Sequence, residues 1–177
     1  MNEDGGQTGK NFFSRLMSMD DATWERHASP LSVWTRIITG LPIILLAVWS
    51  IRPIGWWSLV PMGIAFFWIW INPRLFSPPH NTDNWASKAT FGERVWLNRS
   101  KYPVPGHHLQ WGISLSIIAG VGFLMAIIGA YFNMLLLTIS GGLISWFAKI
   151  WFCDRMVWLY EDMKETRPEY SSWLRKG

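Results

Sequence analysis

Apolar residues in this chain fall into four blocks of roughly twenty, separated by polar segments that hold nearly all of the charge. The first block, 32–51, contains one charged residue, Arg36, within about a turn of its polar end. The second, 54–71, is uncharged and is bounded by Asn72-Pro73, and the third, 112–132, is again uncharged. The fourth, 134–152, holds Lys149 near its far end. At about 1.5 Å per residue each block makes a helix of about 30 Å, one hydrocarbon core thick, so the pattern predicts an all-α protein with a four-transmembrane-helix bundle. Residues 112–152 as one rod would be twice that thickness, which places a turn at Tyr131-Phe132-Asn133. Pro42 and Pro61 fall inside the first two spans, where each removes a backbone donor and is expected to bend its helix.

Four crossings leave the N-terminal segment 1–31, the loop 72–111 and the C-terminal tail 165–177 on one face, with the membrane domain at 32–164. Of the 16 basic residues only Arg52 then lies opposite. A bias of that sign predicts a plasma-membrane protein with both termini and the long loop in the cytoplasm. Tryptophans 34, 49, 56, 57, 68, 70 and 111 stand at or near the block ends, where amphipathic rings anchor a helix at the headgroup level. Residues 1–31 have no continuous apolar core, so no cleaved secretory signal is expected, and Phe12, Phe13, Leu16 and Met17 recur as in a short membrane-surface helix, with a floppy tail as the alternative.

Lipid tails do not distinguish one apolar helix from another, so small residues must bring helices together. Gly122, Ala126 and Ala130 in the third span and Gly141, Ser145 and Ala148 in the fourth predict a tight antiparallel hairpin, with a homodimer seam as the alternative. No acidic residue lies in any block, which argues against an ion-coupled carrier.

Chemistry is therefore expected on the cytoplasmic face. In the 72–111 loop, Thr90 and Glu93 have capping-box spacing, predicting an interfacial helix from there. Its apolar side would hold Trp85, Ala89 and Trp96, with Lys88, Arg94 and Arg99 toward headgroups or solvent. The fourth helix keeps its rhythm to about residue 164, extending into the cytoplasm; Phe152, Met156, Leu159 and Met163 form a stripe able to pack on the loop. Beside it, Asp154 and Glu161 could meet the basic side chains of the loop, including Arg36, Arg74 or Arg94. The candidate binding residues of this face are Arg36, Arg74, His80, Asp83, Glu93, Arg94, His107, His108, Asp154 and Arg155.

No metal or cofactor is assigned. His80, Asp83, His107 and His108 have suitable donor atoms, but no HxxxH, CxxC or Glu-x-x-His spacing is present, and adjacent histidines on an extended segment point to opposite sides. The lone Cys153 cannot form an internal disulfide, and the isolated glycines make no phosphate loop. The net charge of +4 and pI near 9.5 are accounted for by topology and anionic lipid, so nucleic acid is not an expected partner.

Four segments, WERHASPLSVWTR (24–36), NPRLF (72–76), TDNWASKATFGERVWLNR (82–99) and KIWFCDRMVWLYEDM (149–163), carry a resemblance. Together they resemble a family of small prokaryotic integral membrane proteins of unknown function. The resemblance implies a multi-pass membrane protein and transfers no activity, substrate or catalytic residue. The leading expectation is an accessory, scaffolding or partner-binding subunit in the lipid bilayer, working through its cytoplasmic face with a membrane-protein partner or as a homo-oligomer. The alternatives are a small membrane enzyme or anionic-lipid-headgroup binder, with its site between the 72–111 loop and the end of the fourth helix, and an oligomeric channel.

Overall fold

A computed structural model describes residues 21–177. The surface helix expected around residues 12–17 lies outside the described residues. Every regular element among those described is helical: α1 (Asp21–His27), α2 (Pro30–Trp49), α3 (Ile51–Ile54), α4 (Leu59–Leu75), α5 (Trp85–Leu97), α6 (Gly106–Phe132), α7 (Leu135–Met163) and α8 (Pro168–Ser172). Among the described residues three stretches are long and apolar enough to cross a membrane: Pro30–Leu75, Gly106–Phe132 and Leu135–Thr166.

The first of these stretches folds back on itself. Pro30 opens α2, where its fixed φ suits a first helical turn and its missing N–H is not needed. Pro42 lies within α2, and the chain reverses beyond α3 at Gly55, whose φ of 55° is one that a side chain would strain. Polar side chains then register the two arms. Ser32 Oγ donates to Asn72 Oδ1 at 3.1 Å, Asn72 Nδ2 donates to Thr35 Oγ1 at 2.9 Å, and Trp68 Nε1 donates to Thr39 Oγ1 at 3.0 Å. Residues 32, 35 and 39 share one face of α2, and 68 and 72 share one face of α4. Asn72-Pro73 therefore does not stop the helix, which runs on to Leu75. The missing proline donor falls in its last turn, and the Asn72 side chain is engaged by α2.

The small-residue faces of α6 and α7 meet within the chain. A Cβ added at Gly122 would stand 2.6 Å from Ser145 N, and one at Gly141 would stand 2.5 Å from Ala126 N, so only hydrogen fits at either position. Asn133 makes the turn in the left-handed region at φ 60°, while the Met134 N–H bonds Gly129 O at 2.7 Å and closes α6. Arg52 Nε donates to Tyr131 O at 3.0 Å, tying the turn of the first hairpin to that of the second.

The charged elements gather at the other end. Asn84 caps α5 by accepting from Ser87 N at 3.0 Å, so the helix begins at Trp85 and not at the Thr90/Glu93 box. Thr90 sits in the helix interior and its hydroxyl turns back to Ala86 O at 3.2 Å. α5 crosses α7 at Gly92, where a Cβ would lie 1.8 Å from Met156 O. Around this crossing a core forms from Ala89, Phe91, Val95 and Trp96 of α5 and Phe152, Met156, Leu159 and Met163 of α7. The α7 stripe thus packs on the loop helix as its spacing predicts. Ser87 Oγ donates to Ala28 O at 2.7 Å, and Thr82 N donates to Arg175 O at 2.9 Å, which closes the N-terminal and C-terminal segments over the outside of α5. The helix expected to show one apolar side is in consequence buried around most of its circumference.

Candidate functional site

Between α2, α5 and α7 the packing leaves a cavity of about 350 Å³. Its walls along α2 are Val33, Ile37, Leu41 and Ile44, faced by Ile69, Phe123 and Ile150. Gly40 lies in the same wall, and a Cβ there would meet nothing within 4 Å. Trp146 Nε1 donates to Ile37 O at 2.8 Å and pins α7 to α2 beside the opening between them.

One end of this apolar space is charged. Arg36, Glu93 and Lys149 line it together with Thr90 and Cys153. Arg36 and Lys149 lie 13 and 14 residues from the far ends of their helices, so at 1.5 Å per residue both stand about 20 Å from the far turns. Glu93 reaches them from α5, and Lys149 Nζ donates to its Oε1 at 2.9 Å. Arg36 Nε donates to Ser32 O at 3.2 Å, and its Nη1 lies 3.0 Å from His27 Nε2. A guanidinium has no acceptor, so Nε2 is the acceptor and the His27 ring is neutral with its proton on Nδ1. That assignment agrees with the direction of its titration. Burial, with the charges of Arg36 and Lys149, lowers the His27 pKa, against the opposing pull of Glu93 3.9 Å away. Burial by itself would push the Glu93 carboxyl up, but the Lys149 charge, with the His27 contact, holds it well below the usual carboxylate range. With His27 neutral, two cations and one anion leave the end of the cavity with one excess positive charge.

A second cluster joins the start of α6 to the end of α7. His108 Nε2 lies 2.8 Å from Asp162 Oδ2, and His107 Nε2 lies 3.9 Å from the same oxygen. The two histidines do not point apart as an extended segment predicts. They occupy the first turn of α6, where successive side chains diverge by about 100°, and both reach one carboxylate.

The remaining predicted site residues are dispersed. Arg74 Nη1 bonds its own helix at Trp70 O and lies over the Trp70 ring, 4.2 Å from its centroid. His80 is exposed, and Asp83 pairs with Lys88 at 2.6 Å. Arg94 pairs with Asp21 and lies 4.4 Å from the centre of the Trp173 ring, Asp154 accepts from Trp85 Nε1 at 3.2 Å, and Arg155 lies 5.7 Å from the centre of the Trp158 ring. Glu161 meets Lys88 at 2.8 Å, so one acid of that stripe does pair with a basic side chain of the loop, though with a lysine and not with one of the three arginines named. Of the predicted residues the cavity takes Arg36 and Glu93 alone. Sequence reasoning missed His27, Lys149 and Asp162. Lys149 was readable, because it stands near the polar end of its apolar block, as Arg36 does in its own. His27 gave no signal, since its place depends on how α1 folds under the bundle.

The class that fold and site define is an all-α protein with three apolar stretches of membrane-spanning length and charged residues gathered at one end. The chain belongs to DUF6653, a family of unknown function whose profile matches residues 10–175. No curated protein and no solved structure matches it.

Proposed function

We propose that this chain is a four-crossing plasma-membrane protein that binds an anionic amphiphile, its head between Arg36 and Lys149 and its tail along Ile37, Gly40 and Ile44. Support for four crossings comes from the first apolar stretch, whose arms of 20 and 17 residues measure about 30 and 25 Å, each close to one hydrocarbon core. Trp34, Trp70, Trp111 and Trp151 mark one interface and Trp49, Trp56 and Trp57 the other, and among the described residues Arg52 is the only basic one at the second. The basic end, with α5 and both termini, is cytoplasmic in this reading.

The observation that carries the binding role is an apolar cavity ending in two cations, of which Lys149 pairs with Glu93 and Arg36 meets no carboxylate within 4.0 Å among the described residues. Its volume lies within the range of about 300–1,000 Å³ typical of small-molecule sites. Both cations keep donors beyond those used by Ser32, His27 and Glu93, and a carboxylate or phosphate head would neutralise the excess charge. Elsewhere on this face Lys88 pairs with Asp83 and Glu161, Arg94 with Asp21 and His108 with Asp162. The accessory role expected from the sequence would use that outer surface, where these charges already satisfy one another; the cavity has binding capacity left over.

The test is equilibrium binding to the full chain in neutral detergent, using a fluorescent long-chain fatty acid, an anionic phospholipid and a neutral monoacylglycerol. One or both anionic probes should bind in preference to the neutral one, and which of them does distinguishes the source of the head. A charged hydrogen bond contributes about 1.5–3 kcal/mol, so Arg36→Gln and Lys149→Gln should each weaken binding at least about tenfold. Equal affinity for the neutral probe, or wild-type affinity in both variants, overturns the proposal.

A further inference from the structure

We propose that His107, His108 and Asp162 form a binding site for a divalent transition metal, with zinc the ion best matched to the donors. Each residue offers one ligand atom, and these atoms all lie within 4.8 Å of one another. Two imidazole nitrogens and one carboxylate oxygen are a donor set that zinc takes readily, at about 2.0–2.2 Å. Donors at that distance around a tetrahedral ion stand about 3.4 Å apart. The two observed separations from Asp162 Oδ2, 2.8 Å and 3.9 Å, fall on either side of that spacing. The histidine donors also lie within 4.8 Å of one another, so side-chain rotations alone would admit the ion.

The framework around the cluster is fixed while the parts that must adjust are free. His108 is the anchor, its side chain only 3% exposed, and Asp162 is 51% and His107 63% exposed. Near the cluster, Gly112 of α6 meets the Trp96 ring of α5 and Gly92 of α5 meets the Met156 backbone of α7, so α5 bridges the two helices that carry the ligands. A structural role needs only the His108–Asp162 hydrogen bond. His107 is exposed enough to turn toward water, yet its ring lies with its centroid 4.1 Å from that of His108 and its Nε2 toward the same carboxylate oxygen. Two imidazoles crowding one carboxylate is the arrangement that a shared cation rewards.

Three protein ligands leave a fourth position, which on the exposed side of His107 and Asp162 would be taken by water, as in zinc sites that keep an open position. Asp162 lies 13 residues beyond Lys149 on α7, about 20 Å along the helix, so the metal site and the amphiphile cavity are separate and either can exist without the other.

The experiment uses the untagged full chain in neutral detergent, titrated with Co²⁺ while visible absorption is followed, then with Zn²⁺ in competition. One equivalent of Co²⁺ should bind and give the intense bands of a four-coordinate N/O site, and Zn²⁺ should displace it. His107→Ala and Asp162→Asn, both at exposed positions, should each weaken binding at least tenfold with the helical circular dichroism unchanged, whereas His80→Ala should bind as the wild type does. Absence of stoichiometric binding overturns the proposal. So does wild-type affinity in Asp162→Asn, or an equal loss in His80→Ala, since either would mean that surface histidines take up the ion adventitiously.

Discussion

Glu93 keeps its charge in half-buried surroundings where a lone carboxylate would take up a proton, because Lys149 lies 2.9 Å away and Arg36 stands behind His27. The same group of residues gives the protein a predictable response to acid. His27 titrates below its ordinary value of 6.5 when folded, so as pH falls through that value the unfolded chain takes the proton first and stability is lost. Glu93 titrates below its ordinary 4.5, so its stabilisation is present above that pH and is lost on further acidification. Both residues work in one direction. The thermal midpoint of the detergent-solubilised protein should fall in two stages, the first beginning near pH 6.5 and the second near pH 4.5. His27→Gln should flatten the first stage alone. Glu93→Gln should lower the midpoint at pH 7 and flatten the second, because it leaves Lys149 without its anion. Scanning calorimetry or tryptophan fluorescence across that range would check both, and a midpoint independent of pH would contradict the charge states assigned to these residues. Little of this is legible in the sequence. Arg36 and Lys149 read there as lone charges near the ends of their apolar blocks, since the carboxylate beside them comes from a helix 57 positions after one and 56 before the other.

At the scale of elements, two glycines make opposite predictions from the same substitution. Gly40 lines the cavity with open space where its side chain would be, so Gly40→Ala should be tolerated or should stabilise α2 by up to about 1 kcal/mol, the ordinary helix preference for alanine. Gly40→Phe should fill the cavity and displace the amphiphile without unfolding the protein. Gly92→Ala drives a methyl group into the Met156 carbonyl, and overpacking of that kind costs about 1–3 kcal/mol or more. It should lift α5 from α7 and expose 76–105 to protease, an effect limited proteolysis would detect at low enzyme ratios; equal resistance in both glycine variants would contradict the crossing. The helix itself was legible in the sequence, but its start was not. Asn84 and the Thr90/Glu93 pair are each sound N-terminal signals locally, and tertiary contacts decide between them. Glu93 is drawn to Lys149 and Thr90 is buried near the His27 carbonyl, which leaves Asn84 to cap. The α6–α7 seam was legible because small residues at intervals of four have few other uses in an apolar helix.

For the whole molecule the apolar blocks foretold where the helices would lie, since a segment with almost no charge over twenty residues has few alternatives to a long apolar helix. They could not foretell that α1, α5 and α8 close over one another beneath the bundle, because those contacts join residues such as Thr82 and Arg175 whose own neighbourhoods are polar and unpatterned. The fold-back of 30–75 is the step on which the proposed topology depends. Polar side chains at 32, 35 and 39 meet those at 68 and 72 only if the second arm returns to the level of the first, and Arg52 bonds Tyr131 only if both turns emerge on one side. With Cys153→Ser as background, single cysteines at Trp56, Ser100 and Ser172 turn that geometry into a labelling experiment in intact cells. A membrane-impermeant maleimide should label the Trp56→Cys variant from outside. Ser100→Cys and Ser172→Cys should react only after the membrane is opened. If position 56 proved protected while 100 reacted from outside, the long loop and its charged helix would lie on the external face. The cavity would then open its charged end to the outer leaflet, and the amphiphile would have to be sought there.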